Sequence, residues 1–294
     1  MEVMLDKENG KYGLKVNLHG PLSNRAMDEI KASGAKELEL NFAGGWVTSD
    51  IAPLADLSEL IGFSITSRII QDLTPIHYLR NLRSLKVVTD CKSEINFGSF
   101  PKLESFTIDY SNQKLVGLFD CITLTDLFMN CYTGRVSEPF GRLVNLERLR
   151  LLSPSLGEIK GFRHLKKVKE LRLALARRLD SLEGLEGMAA LEDLMLQSIP
   201  NVKSIDEVGS LKNLKRLVLT GKGEIESLRC LEGVPNFARF AMDDKVIADG
   251  DFSVFTRLEH LEFLGYVDKK HYKPRKKELK ALLEAKFPGA IQVS

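Results

Sequence analysis

Five arginines, Arg148, Arg150, Arg172, Arg216 and Arg239, recur along the chain among the carboxylates Asp109, Asp126, Glu170 and Asp193, with Phe128, Asn130, Met195 and Val218 interspersed. Guanidinium groups pair bidentately with carboxylates. Arginine beside exposed aromatic or methionine side chains is the composition favoured where proteins meet. The chemistry on offer is recognition rather than bond-making. Groups that make bonds are scattered. His19, His77, His164, His260 and His271 are dispersed, without HxxxH or Cys/His metal-site spacing. Cys91, Cys121, Cys131 and Cys230 form no CxxC pair. Gly221-Lys222-Gly223 lacks the GxxxxGK[ST] frame of a phosphate loop, and no GxSxG elbow occurs. No catalytic residue, metal or cofactor is expected, and a hidden catalytic cysteine is the enzymatic alternative.

Such residues become neighbours only if the segments that carry them stack in register, and an internal repeat supplies the stacking. An apolar frame appears at Leu57, Leu60, Phe63 and Ile65, then at Leu79, Leu82, Leu85 and Val87. Clear copies follow at Leu143, Leu146, Leu149, Leu151 and at Leu211, Leu214, Leu217, Leu219. The third frame position falls at residues 63, 85, 106, 127, 149, 171, 194, 217, 240 and 261, in steps of 21 to 23. The last copy is read as Phe255, Leu258, Leu261 and Phe263. Leu38 and Leu40 mark an earlier one, for about eleven units in all.

The end of each frame alternates as a half-buried strand does. The other half places apolar residues every third position, as at Leu179, Leu182 and Leu185, which suits short 3₁₀ returns. One unit cannot bury its own stripe, whereas stacked units form a continuous core. Each buried leucine or isoleucine then contributes roughly 1.5–3 kcal/mol. On this frame the chain resembles the leucine-rich-repeat family in its short 22-residue class, and is similar to bacterial internalins and to the repeat-bearing regulatory subunit of protein phosphatase-1. The resemblance covers roughly residues 35 to 265. It implies an α/β solenoid, a curved right-handed stack with a parallel sheet on its concave face and short returns on its convex face. One departure stands out. The asparagine of LxxLxLxxN is replaced by Arg68, Asp90, Ser111, Tyr132, Pro154, Ala176, Ile199, Lys222 and Lys245, so loops are expected to vary.

Residues 1–34 are expected to cap the N-terminal end, with a strand over Leu14, Val16 and Leu18 and a short helix over Asn24 to Lys31. Residues 35–265 form the repeats. Residues 266–294 are expected to cap the other end with a helix holding Pro274 in its first turn and burying Leu279, Leu282, Leu283 and Phe287, followed by an edge strand at Ile291 and Val293. Trp46 is expected to cover the first repeat, and Cys91, Cys121 and Cys131 to pack as small apolar groups.

Residues between the buried strand positions point to solvent. They include every arginine, carboxylate and apolar residue named at the outset, together with Leu152, Ala174, His260, Glu262 and Leu264. Two readings remain open for them: a partner surface, or a charge lattice satisfied between neighbouring strands. A net charge of +2 gives no bulk attraction to nucleic acid or anionic membrane. The lysines of segment 269–280 are most simply a solvated face. No apolar run is long enough for a membrane span, and no secretory signal is expected at the start of the chain. The expectation is a cytoplasmic, non-enzymatic module that binds another protein on its concave face, with no small-molecule substrate: a bacterial scaffold or a toxin-neutralising immunity protein. The alternative is a regulatory or targeting subunit of an enzyme such as a phosphatase or ligase.

Overall fold

Each alternating segment pairs with the next, so that apolar residues of one strand lie level with those of its neighbour. The computed structural model describes residues 4–109 and 114–294; Ser111 lies outside them. The chain divides into two compact units, Met1–Cys131 and Tyr132–Ser294.

The first unit contains β1 (Met4–Asn9), β2 (Leu14–His19), α1 (Asn24–Ser33), β3 (Glu37–Asn41), β4 (Gly62–Ser67), β5 (Ser84–Thr89), β6 (Ile95–Asn96), β7 (Ser105–Asp109), β8 (Leu115–Val116) and β9 (Asp126–Asn130). β1 and β2 form an antiparallel hairpin, and β2, β3, β4, β5, β7 and β9 follow in parallel order. Val16, Leu38, Phe63, Leu85, Phe106 and Leu127 make one buried line across the sheet. Leu18, Leu40, Ile65, Val87, Ile108 and Met129 make a second. The Ser23 hydroxyl accepts from the Ala26 amide at the start of α1, and Gly34 ends the helix in the left-handed region. Ala26, Met27 and Ile30 face inward. Trp46 is fully buried. β6 and β8 pair as a small second sheet.

The second unit contains β10 (Arg148–Leu152), β11 (Glu170–Ala174), β12 (Asp193–Gln197), β13 (Arg216–Thr220), β14 (Gly223–Ile225), β15 (Arg239–Met242), β16 (Lys245–Ile247), β17 (Phe263–Gly265), α2 (Lys276–Lys286) and β18 (Gln292–Val293). Its main sheet runs β10-β11-β12-β13-β15-β17-β18, all parallel, with β14 and β16 paired separately. The period-three segments are 3₁₀ turns, at Lys160–His164, Leu185–Gly187, Asp206–Ser210 and Arg229–Gly233. They stack so closely that a Cβ at Gly184 would stand 2.2 Å from the Ile159 carbonyl oxygen, and Gly184 has a φ of +116°. Among the described residues, no helix is long and apolar enough to cross a membrane.

The missing asparagines are replaced by other devices. Backbone amides after the strands carry the ladder: Ser153, Leu175 and Ser198 donate to the carbonyls of Ala174, Gln197 and Thr220. The Ser153 hydroxyl donates to the Tyr132 carbonyl at 2.7 Å and accepts from the Leu156 amide. Ala176 and Ile199 are buried where the asparagine would stand, and so is Lys245. Asparagines also bridge repeats elsewhere: Asn81, Asn213 and Asn236 donate to the carbonyls of Ser58, Ala189 and Lys212.

The last repeat departs from the sequence reading. Leu264, expected in solvent, is buried opposite Phe240, while Phe263 turns outward beside Arg239. The working frame is Leu258, Leu261, Leu264 and Tyr266, 24 residues after Val234, Phe237, Phe240 and Met242. Phe255, Leu258 and Leu261 repeat the same three-residue spacing and so mimic a frame one slot early. In the terminal helix, Arg275 takes the N-cap position, Glu278 accepts from its amide, and Pro274 precedes the helix. Leu279 and Leu283 face inward one turn apart, and Leu282, about 100° around the helix from Leu283, is rotated out to 52% exposure. Cys91 is buried, Cys121 is intermediate, and Cys131 is exposed rather than packed; its φ of 58° places it in a left-handed turn just past β9.

Candidate functional site

In parallel strands, residues at equal register form rows about 4.8 Å apart. On the solvent side of the second unit's sheet, the first row is Arg148, Glu170, Asp193, Arg216, Arg239 and Phe263. The second row is Arg150, Arg172, Met195, Val218, Ala241 and Gly265. Strand pairing alone thus brings together residues spread over more than a hundred positions of sequence.

Charge in the first row is compensated locally. Arg216 donates through Nη1 to both carboxylate oxygens of Asp193, at 2.9 and 2.8 Å. Arg172 meets Glu170 of its own strand at 2.7 Å. Arg239 lies 3.6 Å from Glu262 and holds its guanidinium over the Phe263 ring, 5.3 Å from the centroid. These pairs stay in solvent: the side chains of Arg172 and Arg239 are 45% and 51% exposed. Exposed pairs of this kind contribute about 0–1 kcal/mol each to stability. The arrangement orients guanidinium groups and leaves most of the fold's energy to the core.

The second row falls from long polar side chains to none. Val218, expected in solvent, is 6% exposed, because it lies between Met195 and Ala241 at the foot of the row. Ala174 is likewise buried.

The remaining expected site residues belong to the first unit. Asn130 donates to Asp109 at 2.9 Å, and Phe128 is half-buried on the solvent side of β9. Asp126, level with Ser105, is buried rather than open. At the other end of this sheet lies a polar cluster that sequence reasoning did not single out. Lys15 contacts Glu39 at 2.7 Å and Glu8 at 3.0 Å, and His19 contacts Asp6 at 2.7 Å. Burial opposes the charge on Lys15, but its two carboxylate partners outweigh that cost and hold its pKa above the ordinary lysine value. The hairpin register that pairs β1 with β2 makes this cluster, and no spacing rule within either strand reveals it. Among the described residues, no group of three His, Cys, Asp or Glu side chains converges to hold a metal ion.

Solved structures with this architecture include an internalin, inlF, from Listeria monocytogenes, with 18% identity and a TM-score of 0.63 over 95% of this chain and 85% of that one. Internalin C2 from the same organism matches with 19% identity and a TM-score of 0.51, over 73% of this chain and 84% of that one. No family model matches the chain, and no curated protein matches it. The likeness is one of fold: a leucine-rich-repeat stack of parallel strands and short 3₁₀ returns.

Proposed function

From a leucine-rich-repeat fold with an open sheet face, we propose that this chain is a non-enzymatic module that binds another protein on that face. The observation that carries the reading is the row pattern of the second unit. Arg150, Arg172 and Met195 stand side by side on adjacent strands, with Arg172 half in solvent. Arginine and methionine are enriched at protein interfaces. A rigid sheet presents them with little ordering cost on binding. The compensated charges favour a partner with mixed polar and apolar character over a polyanion. Within this reading we propose, as the finer role, a cytoplasmic scaffold or a toxin-neutralising immunity protein.

The test is affinity capture with the full chain as bait, followed by mass spectrometry, and then repetition with the Arg150→Glu, Arg172→Glu double variant. The captured partner should be lost while the circular dichroism spectrum is unchanged. Undiminished capture by the folded variant counts against the sheet face as the binding surface.

A further inference from the structure

The end of the second unit's sheet carries a feature of its own. Along the second row, Met195, Val218, Ala241 and Gly265 shrink step by step. At the end of this row, beside the C-terminal cap, lies a wide, open hollow of about 510 Å³. Ala241, Gly265, Phe263, Tyr266 and Val267 are among the residues that line it. Val267 is 62% exposed, a large apolar side chain left in water at the rim. Concave settings lined by apolar side chains are where ligand groups are usually held.

The cap that contributes Lys276 to this lining is cationic. Lys276 lines the cavity, donates to the Tyr266 carbonyl at 2.6 Å and lies 5.1 Å from the centroid of that ring, without an acidic partner at ion-pair distance. Asp243, the acidic residue of the wall, accepts from the Gly221 amide at 3.0 Å. The surrounding cap, residues 266–294, has eight basic and three acidic side chains in a chain whose net charge is only +2. Asp268 is held by Arg275, while Glu278 and Glu284 accept from backbone amides. Lys269, Lys270, Lys273, Lys277 and Lys280 have no ion pair among the described residues.

We infer that this cavity is a socket for a bulky apolar side chain of a partner protein flanked by carboxylates. The inference rests on the sheet-face reading and adds to it the chemistry of the partner. An aromatic or leucine side chain fills the hollow over Gly265 and Ala241, and neighbouring Asp or Glu residues meet Lys276 and the unpaired lysines. Burying one such side chain accounts for roughly 1.5–3 kcal/mol of binding, which is the scale of a hot spot.

A random peptide library displayed on phage, panned against the full chain, tests it. Selected peptides should share an aromatic residue or leucine beside Asp or Glu. Gly265→Leu fills the hollow. Because the nearest atoms to its Cβ belong to the Phe263 and Ser294 side chains, which can turn aside, the fold should persist. Val267→Asp alters only an exposed rim position. Each variant should weaken a selected peptide at least about tenfold in fluorescence polarisation, a change of about 1.4 kcal/mol, while Arg172→Glu changes it less than about threefold. Peptides that lack the apolar–acidic pattern, or that bind both variants normally, overturn the socket. Peptides weakened by Arg172→Glu alone overturn the socket and leave the sheet-face reading intact. Peptides indifferent to all three variants count against both. Failure of the peptides combined with binding to phosphatidylglycerol vesicles also overturns the socket.

Discussion

The ammonium of Lys245 donates to the carbonyl of Ile199 at 3.0 Å, reaching back 46 residues past the loop between them. The contact exists because Gly223 has no side chain: a Cβ there would stand 2.9 Å from the lysine nitrogen. Lys245 is 1% exposed. It fills a position where the repeat pattern calls for asparagine, and it exchanges the hydration of a cation for one backbone carbonyl.

Burial, with a smaller contribution from nearby Lys203, lowers the pKa of Lys245 below the ordinary lysine value. At neutral pH the unfolded chain holds this proton more readily than the folded chain. Stability should therefore rise with pH through the alkaline range, from the lowered folded value toward 10.5, where the unfolded lysine also loses its charge. Lys245→Met should flatten that rise and stabilise the fold near neutral pH by about 1 kcal/mol, the removed cation outweighing the unpaired Ile199 carbonyl. Urea denaturation of both proteins across pH 7–10 checks this; an unchanged slope in the variant refutes the assignment.

Gly223→Ala should destabilise by about 1–3 kcal/mol, because φ is +132° and the added methyl meets both Lys245 and Pro200. Combined with Lys245→Met, part of the cost should be relieved. A double-mutant cycle with a coupling above about 0.5 kcal/mol is the expected result.

Ser153→Ala removes a buried hydroxyl that joins the Tyr132 carbonyl to the Leu156 amide. The expected loss is about 1–3 kcal/mol. By contrast, Asp193→Asn breaks a half-exposed pair with Arg216 and should cost less than about 1 kcal/mol. Thermal melts of the two variants should differ in that order.

Thiol labelling should separate the cysteines. Burial, reinforced by Asp206 and Glu207, pushes the Cys230 pKa up to about 12, so almost no thiolate forms at pH 8. Cys131 lies exposed beside Asn130. Iodoacetamide on the native protein should modify Cys131 first and leave Cys230 and buried Cys91 for the denatured state, as peptide mass mapping will show.

The repeat was legible in the sequence because its information is local. A period near 22 residues with Leu at frame positions states which side chains are buried, and parallel pairing then follows from the need to stack. That is why Arg172, Met195 and Arg216 could be assigned to the solvent side of adjacent strands from spacing alone. Register at the last strand was not legible, since Leu258, Leu261 and Leu264 satisfy the same three-residue spacing in more than one alignment; strand pairing to Phe240 chose among them. Nor was depth. Val218 occupies an outward position yet is covered by its row neighbours, and Lys245 is buried where spacing allowed an exposed loop residue. The sequence by itself determined the stack, its strands and, before the last strand, which residues point to the solvent face. Only the tertiary structure decided which of those residues stand above the face, which pair with each other, and where the hollow lies, because these depend on the heights and contacts of side chains brought together from different repeats.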